Sequence, residues 1–381
     1  MLTWRKTAVT DFASRIHTHK ERHNLAWRLH LDTTLLTALM LLMALALGIV
    51  YSAGGDSTVN KQLARLAVGM GVMVVLAQIP PRILKLWSPA IYLAGIIMLL
   101  VVEFTGVIGK GAQRWIDLGF FRFQPSELLK LAVPMMLAWY FAEKPLPPTL
   151  KQIVVALLLI IVPVVLIAIQ PDLGTSLLIF ASGFFVLWLA GLQWKLVASS
   201  ALLAAAAAPM LWFFYMRDYQ KQRVLTFLDP EKDPLGSGYH IIQSKIAVGS
   251  GGLYGKGYMQ GTQSQLEFIP ERHTDFIFAV FGEEFGFLGA VLLMVLFAFI
   301  VWRGLYIASN AQDTYSRLLA GAITLTFSVY VIVNIGMVIG VLPVVGVPLP
   351  LVSYGGTSSV TLLAGFGLLM SLHTHRRLLS S

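Results

Sequence analysis

The chain has no cysteine among its 381 residues. That excludes disulfides, thiolate metal sites and a cysteine nucleophile. Charge is scarce as well. Asp, Glu, Lys and Arg make up 12% of the chain, about half of the roughly 25% carried by a soluble domain. Low-complexity linkers and internal repeats are lacking too, so no separate soluble domain is expected. What fills the sequence is apolar. Hydrophobic residues make up 57%, with 9 Trp, 12 Tyr and 22 Phe, which suits segments crossing aromatic-rich membrane interfaces.

A hydrocarbon core of about 30 Å takes about 20 apolar residues per helix. Ten candidate spans emerge: 33–52, 63–80, 88–107, 127–142, 152–169, 174–190, 195–215, 275–302, 316–340 and 351–372. The expected fold is an all-α polytopic membrane protein with ten transmembrane helices. Spans four and six are short, and Pro134, Pro163 and Pro209 stand where they would kink spans four, five and seven. The polar stretch 1–31 is too long and too acidic in places for the start of a signal peptide, and no small-residue cleavage site follows.

Lys and Arg set the orientation. With the N-terminus inside, the inner segments hold 15 Lys+Arg against 5 Asp+Glu, and the outer segments 13 against 14. The net charge of +9 is therefore a topology signal and an attraction to anionic lipid, and no nucleic-acid partner is expected. The expected organisation is a basic cytoplasmic segment at 1–31, one transmembrane domain at 32–375 and a cytoplasmic tail at 376–381. The outer side carries the elaborate loops, at 108–126, 170–173, 216–273 and 341–350. A long structured loop is usually functional, so the outer face is the expected active face.

Four constellations on that face carry charge. Arg114 and Trp115 lie in the first outer loop, as a phosphate-and-sugar contact or as an interfacial anchor. Gln124-Pro125-Ser126-Glu127 suits a helix start. Glu127 and Lys130 are at i,i+3 and meet on one face, either as a buried ion pair or as a polar cavity lining. Asp172 is placed to cap the sixth span or to face the same cavity. The long loop holds Lys245, Lys256 and Arg272 among balancing carboxylates. Its 238–248 stretch reads as an interfacial amphipathic helix. The glycine-rich 249–257 stretch departs from a Walker loop at Ser250 and Gly257. It is either a flexible turn or a place of close backbone approach.

Asp275 stands at the edge of an apolar segment that also holds Glu283 and Glu284. Charges at membrane depth cost about 2.5–3.5 kcal/mol each, and they persist where they pair or line a wet cavity. In an unbroken helix Asp275 and Glu283 would be about 12 Å of rise and about 80° of azimuth apart. The close carboxylate pair of retaining glycosyl transfer needs about 5–5.5 Å. Asp275 thus reads as a lone base or as a helix N-terminal aspartate. His273 has no second ligand at a recognised spacing, so no protein-built metal site is expected.

Six motifs in order carry a resemblance. They are Gly-Ala-Gln-Arg-Trp-Ile at 111–116, Gln-Pro-Ser-Glu-Leu-Leu-Lys at 124–130, Gln-Pro-Asp-Leu-Gly-Thr at 170–175, Gly-Thr-Gln-Ser-Gln-Leu-Glu-Phe at 261–268, Pro-Glu-Arg-His-Thr-Asp-Phe-Ile-Phe at 270–278 and Pro-Leu-Pro-Leu-Val-Ser-Tyr-Gly-Gly at 348–356. Over about residues 30–375 the chain resembles the SEDS family of polytopic cell-wall glycosyltransferases. The run at 229–244 and the short tails look more like its rod-shape branch than its division branch.

The resemblance implies ten helices in a bacterial cytoplasmic (inner) membrane, with the active site on the periplasmic side. It implies polymerisation of lipid II into β-1,4 glycan strands for cell elongation. The implied partners are lipid II, the lipid-linked glycan, a class B penicillin-binding protein and other elongation-complex membrane proteins. Asp275 matches the family's essential aspartate, Glu127 and Lys130 its cavity pair, Trp115 its tryptophan and Asp172 its loop aspartate. Arg114, Lys245, Lys256 and Arg272 join them as candidate cavity cations. No cofactor built into the protein is expected, while a divalent cation, Mg or Mn, riding on the substrate pyrophosphate stays open. A lipid flippase or transporter would instead line a path through the midplane, and a scaffold would not need buried ionisable groups.

Overall fold

The computed structural model describes residues 29–105, 107–109, 112–117, 122–170, 172–215, 221, 225–227, 229, 237–266, 268–269 and 271–375. The expectations for 1–28, for most of 216–236 and for 376–381 lie outside the described residues. The chain is predominantly helical. In order come α1 (Thr33–Gln78), α2 (Pro81–Thr105), β1 (Val107–Gly109), β2 (Ala112–Asp117), β3 (Arg122–Phe123), α3 (Pro125–Phe141), α4 (Leu150–Ile169) and α5 (Leu173–Leu189). They are followed by α6 (Trp194–Met210), α7 (Ser237–Ser250), α8 (Thr262–Gln265), α9 (Ile277–Ser309), α10 (Thr314–Val338) and α11 (Thr357–Thr374).

Among the described residues, α1, α2, α4, α9 and α10 are long and apolar enough to cross a membrane by length and composition. The protein is thus a multi-pass membrane protein. Of these five, α10 has 72% of its apolar window buried against 22–44% for the others, so α10 is the central post and the rest face lipid on one side.

Three features differ from the sequence reading. First, the all-α expectation meets one small antiparallel sheet, β1-β2-β3. Gly109 pairs with Ala112 where β1 meets β2. Second, α3, α4 and α6 run through Pro134, Pro163 and Pro209. Neighbouring helices and local adjustments re-satisfy the freed backbone groups in membrane helices. Breaks that the sequence reading did not place stand at Gly55 (φ 69°, ψ −174°) in α1 and Gly286 (φ 63°, ψ −163°) in α9, in a backbone region open to glycine. Third, α9 begins at Ile277, with Phe276 at its cap. Asp275 therefore precedes the helix, and the continuous 275–284 helix is not formed.

The break at Gly286 explains the glycine-rich loop. The carbonyls of Glu283 and Glu284 accept from the Lys256 and Gly257 amides, both at 3.0 Å. The Phe287 and Leu288 amides donate to the Gly252 and Leu253 carbonyls at 2.9 and 3.1 Å. The loop thus satisfies the groups that the break frees, as lipid-depth backbone demands. A Cβ on Gly251 or Gly255 would stand 2.1 Å from the Gly282 or Glu284 carbonyl oxygen. The glycines serve close backbone approach, and what approaches is α9 itself.

At the other end of the bundle, Asp32 joins three helices. It caps α1 by accepting from the Leu35 amide at 2.8 Å. It also pairs with Arg303 of α9 at 2.6 Å and with His373 of α11 at 3.2 Å. The rings of His30 and His375 stack alongside, 3.9 Å apart and 9° from parallel.

Candidate functional site

The first half of the site is a continuous chain of polar contacts on β2, α3 and α5. Asp172 caps α5, accepting from the Thr175 amide at 3.2 Å. The same carboxylate takes Arg114 Nη1 at 3.5 Å and Gln124 Nε2 at 3.3 Å. Arg114 Nε donates to the Gln170 carbonyl at 3.2 Å, so the guanidinium ties the hairpin to the start of α5. Trp115, next on β2, is half-buried.

The Gln124 carbonyl accepts from the Glu127 amide at 3.0 Å, which opens α3. One turn in, Lys130 Nζ donates to Glu127 Oε1 at 2.7 Å, with both side chains more than 90% buried. The ammonium also lies 5.3 Å from the Tyr330 ring centroid, a cation–π distance. Glu127, Lys130, Thr326 and Tyr330 line a cavity of about 30 Å³ together with apolar residues that include Phe327 and Phe366. That volume has room for about two waters. Glu127 Oε2 has no hydrogen-bond partner within the protein, so the pair keeps one acceptor for a group that enters.

The second half is the turn that carries Asp275. Asn334, fully buried in α10, donates to the Asp275 and Val347 carbonyls, both at 2.8 Å. Ser353 Oγ accepts from the Leu349 amide at 2.8 Å and donates to the Thr274 carbonyl at 2.6 Å. The Tyr354 amide donates to the His273 carbonyl at 2.8 Å. Three consecutive residues are thus fixed through their backbone carbonyls, and Asp275 itself is half-buried. His240 of α7 stacks on Phe276, 5.8 Å between centroids and 15° from parallel. Burial lowers its pKa from the ordinary histidine value, against a smaller opposing pull from Glu271.

Residues 345–347 join the halves. A Cβ on Gly174, two residues past Asp172, would stand 2.6 Å from the Val345 carbonyl oxygen. A Cβ on Gly346 would stand 3.6 Å from Asp275 Oδ2. The Asp172 cap and the Asp275 turn therefore abut one short segment of backbone.

The other candidates lie in the long loop. Lys256 pairs with the fully buried Glu283 at 2.8 Å. Glu283 also accepts from the Gln263 and Ser264 amides at 2.8 and 3.1 Å, so it caps α8 from α9. Arg272 donates to the Ser264 carbonyl, which fastens the same loop. Glu284, one residue on, accepts from Ser52 of α1. Lys245 is exposed on α7, with its stem laid against Gly340. Sequence reasoning missed Gln124, Tyr330, Asn334 and Ser353. The one signal for Asn334 was a carboxamide alone in an apolar span.

Glu283→Gln tests the loop clamp. Each hydrogen bond to a charged group contributes about 1.5–3 kcal/mol. Losing one such bond should speed amide exchange across residues 261–266 by about ten- to hundredfold, read by hydrogen exchange. Unchanged exchange would show that the clamp does not hold the loop.

Residues 24–378 match the model of the FtsW/RodA/SpoVE family, described as cell cycle proteins. The chain is 55% identical over 355 residues to the peptidoglycan glycosyltransferase MrdB of Escherichia coli K12, covering 93% of this chain and 96% of that one. It is 34% identical to the stage V sporulation protein E of Bacillus subtilis, covering 91% and 98%. Among solved structures, one from a peptidoglycan synthase complex that coordinates polymerization and crosslinking superposes with a TM-score of 0.80 at 31% identity, covering 90% of this chain and 97% of that one. The rod shape determining protein RodA of Thermus thermophilus superposes with a TM-score of 0.69 at 28% identity, covering 90% and 96%. The motifs at 111–130, 170–175, 261–278 and 348–356 build the two halves of the site and the loop clamped beside them, and with a family match across nearly the whole length, the chain belongs to the FtsW/RodA/SpoVE family of cell cycle proteins.

Proposed function

We propose that this protein is a peptidoglycan glycosyltransferase that polymerises lipid II into β-1,4 glycan strands. The observation that carries the reading is the Asp275 turn, fixed by α10 and the 345–354 segment beside the Asp172–Arg114 pair. The 55% identity to a relative named for this activity supports it.

Asp275 takes the proton from the 4-hydroxyl of the acceptor's terminal N-acetylglucosamine. The freed oxygen attacks the anomeric carbon of the donor's N-acetylmuramic acid. The bond from that carbon to the diphosphate breaks, and its electron pair leaves on the diphosphate oxygen. A single displacement inverts the α-linked donor to a β-link and needs no covalent enzyme intermediate. Fixed cations of the outer face meet the charge that develops on the leaving group. Among the described residues no cluster of three or more His, Asp or Glu has a metal-holding arrangement. A divalent cation, Mg or Mn, would be held by the substrate's phosphates and would offset their charge.

In this reading the chain crosses a bacterial cytoplasmic membrane ten times. Both termini are inside, 216–273 lies on the periplasmic side, and a class B penicillin-binding protein cross-links the product alongside other elongation-complex proteins. The charge asymmetry supports the orientation. Cysteines placed at Ser237 and Ser381 should react with impermeant reagents from opposite sides, and labelling of both from outside would sink the topology. The activity test is glycan-strand formation from labelled lipid II by purified protein. Turnover establishes the polymerase, while lipid II translocation without polymerisation would replace it with a flippase.

A further inference from the structure

Arg65 lies on the second limb of α1, half-buried. Its guanidinium carbon is 4.3 Å from the centroid of the Tyr354 ring, a cation–π contact. Tyr354 meets His273 edge-on, with centroids 5.6 Å apart and planes at 69°, and its amide donates to the His273 carbonyl at 2.8 Å. His273 is two residues from Asp275. Gln62, fully buried one turn earlier on α1, sets the register of this limb. Its side chain donates to the Ser353 carbonyl and accepts from the Gly355 amide, both at 3.3 Å. Arg65 is therefore stationed at the rim of the Asp275 turn.

The ring covers one face of the guanidinium plane and leaves the N–H donors along its edge. Among the described residues no carboxylate pairs with Arg65. Lys61 lies four residues earlier on the same helical face, exposed and also without a carboxylate partner among the described residues. Like charges at that spacing repel, and a bound anion would relieve them.

We infer that Arg65, held over Tyr354, binds the diphosphate of a prenyl-diphosphate-linked sugar substrate. This rests on the glycosyltransferase reading of the Asp275 site. A base within reach of the acceptor oxygen, and that oxygen in near-attack position, put the leaving diphosphate roughly 6–9 Å from the base. Arg65 reaches the turn through two ring contacts, on Tyr354 and from there to His273. A planar guanidinium grips two phosphate oxygens at once, which an ammonium does not.

The test uses full-length protein in nanodiscs, undecaprenyl diphosphate as the binding probe and lipid II as substrate. Arg65→Ala should weaken diphosphate binding and raise the lipid II KM by about ten- to hundredfold, the range for a lost hydrogen bond to a charged group. The kcat should fall as well, because the guanidinium also meets the charge that develops on the leaving diphosphate. Arg65→Lys should recover only part of the binding, and Tyr354→Phe should bind like wild type because the ring remains. Arg65→Gln guards against a fold effect of the smaller alanine. Undecaprenyl monophosphate should bind more weakly to wild type and be discriminated less by Arg65→Ala. Wild-type diphosphate affinity in both Arg65→Ala and Arg65→Gln would overturn the assignment. A wild-type protein that binds the diphosphate but makes no glycan would overturn the polymerase reading, while the binding comparison would still decide Arg65.

Discussion

Asp275→Asn should insert, fold and keep its partner, yet lose glycan synthesis by a factor on the order of 10²–10⁴, the range for a lost acid–base group. The substitution is nearly isosteric. The contact from Asn334 goes to the Asp275 carbonyl oxygen, and Ser353 and Tyr354 hold Thr274 and His273 through their carbonyls. None of these three anchors depends on the carboxylate, so the turn should survive. What is lost is a group able to accept a proton from the attacking hydroxyl. The measurement is strand formation from labelled lipid II, with variants matched for thermal stability and for complex formation. Near-normal polymerisation by Asp275→Asn would move the base elsewhere on the outer face. Asp275→Glu should keep a fraction of activity, since the proton acceptor remains but is displaced by one methylene.

The second large effect is expected at Glu127 and Lys130. Both are buried, so removing either leaves the other charge without its partner at a cost of about 3–5 kcal/mol. Glu127→Ala and Lys130→Ala should each lower the melting temperature of the purified protein and reduce the yield of inserted protein. The double variant should be less unstable than the sum of the singles, because both charges go together. In activity the double variant should remain impaired, since the cavity loses part of its polar lining. A double variant that is stable and fully active would show that the pair serves insertion alone. Stable single variants would contradict the coupling itself.

How much of this was legible in the sequence depends on how local the contact is. The Glu127–Lys130 pair could be read from its one-turn spacing, and the Asp172 cap from its place before an apolar helix. The helix at Ser237–Ser250 followed from its amphipathic pattern. The setting of Asp275 could not be read, because its supports come from Asn334, Gly346 and Ser353, about 60–80 residues further along. Glu283 was singled out as a costly charge, but its partners Gln263 and Ser264 lie about 20 residues back on another element. The glycine run at 249–257 signalled close approach without saying to what. The glycine breaks in α1 and α9 could not be read, because a lone glycine in an apolar run does not say whether it will take a positive φ.

The backbone supports of the Asp275 turn have a consequence for biogenesis. A ribosome releases the chain from the N-terminus, and domains form as their segments emerge. Thr274 and His273 acquire their anchors only when Ser353 and Tyr354 arrive, about 80 residues later. Until then the Asp275 turn lacks two of its three backbone anchors. In the proposed reading of Asp275 as the base, glycan synthesis therefore waits for a segment about 80 residues downstream of the base itself.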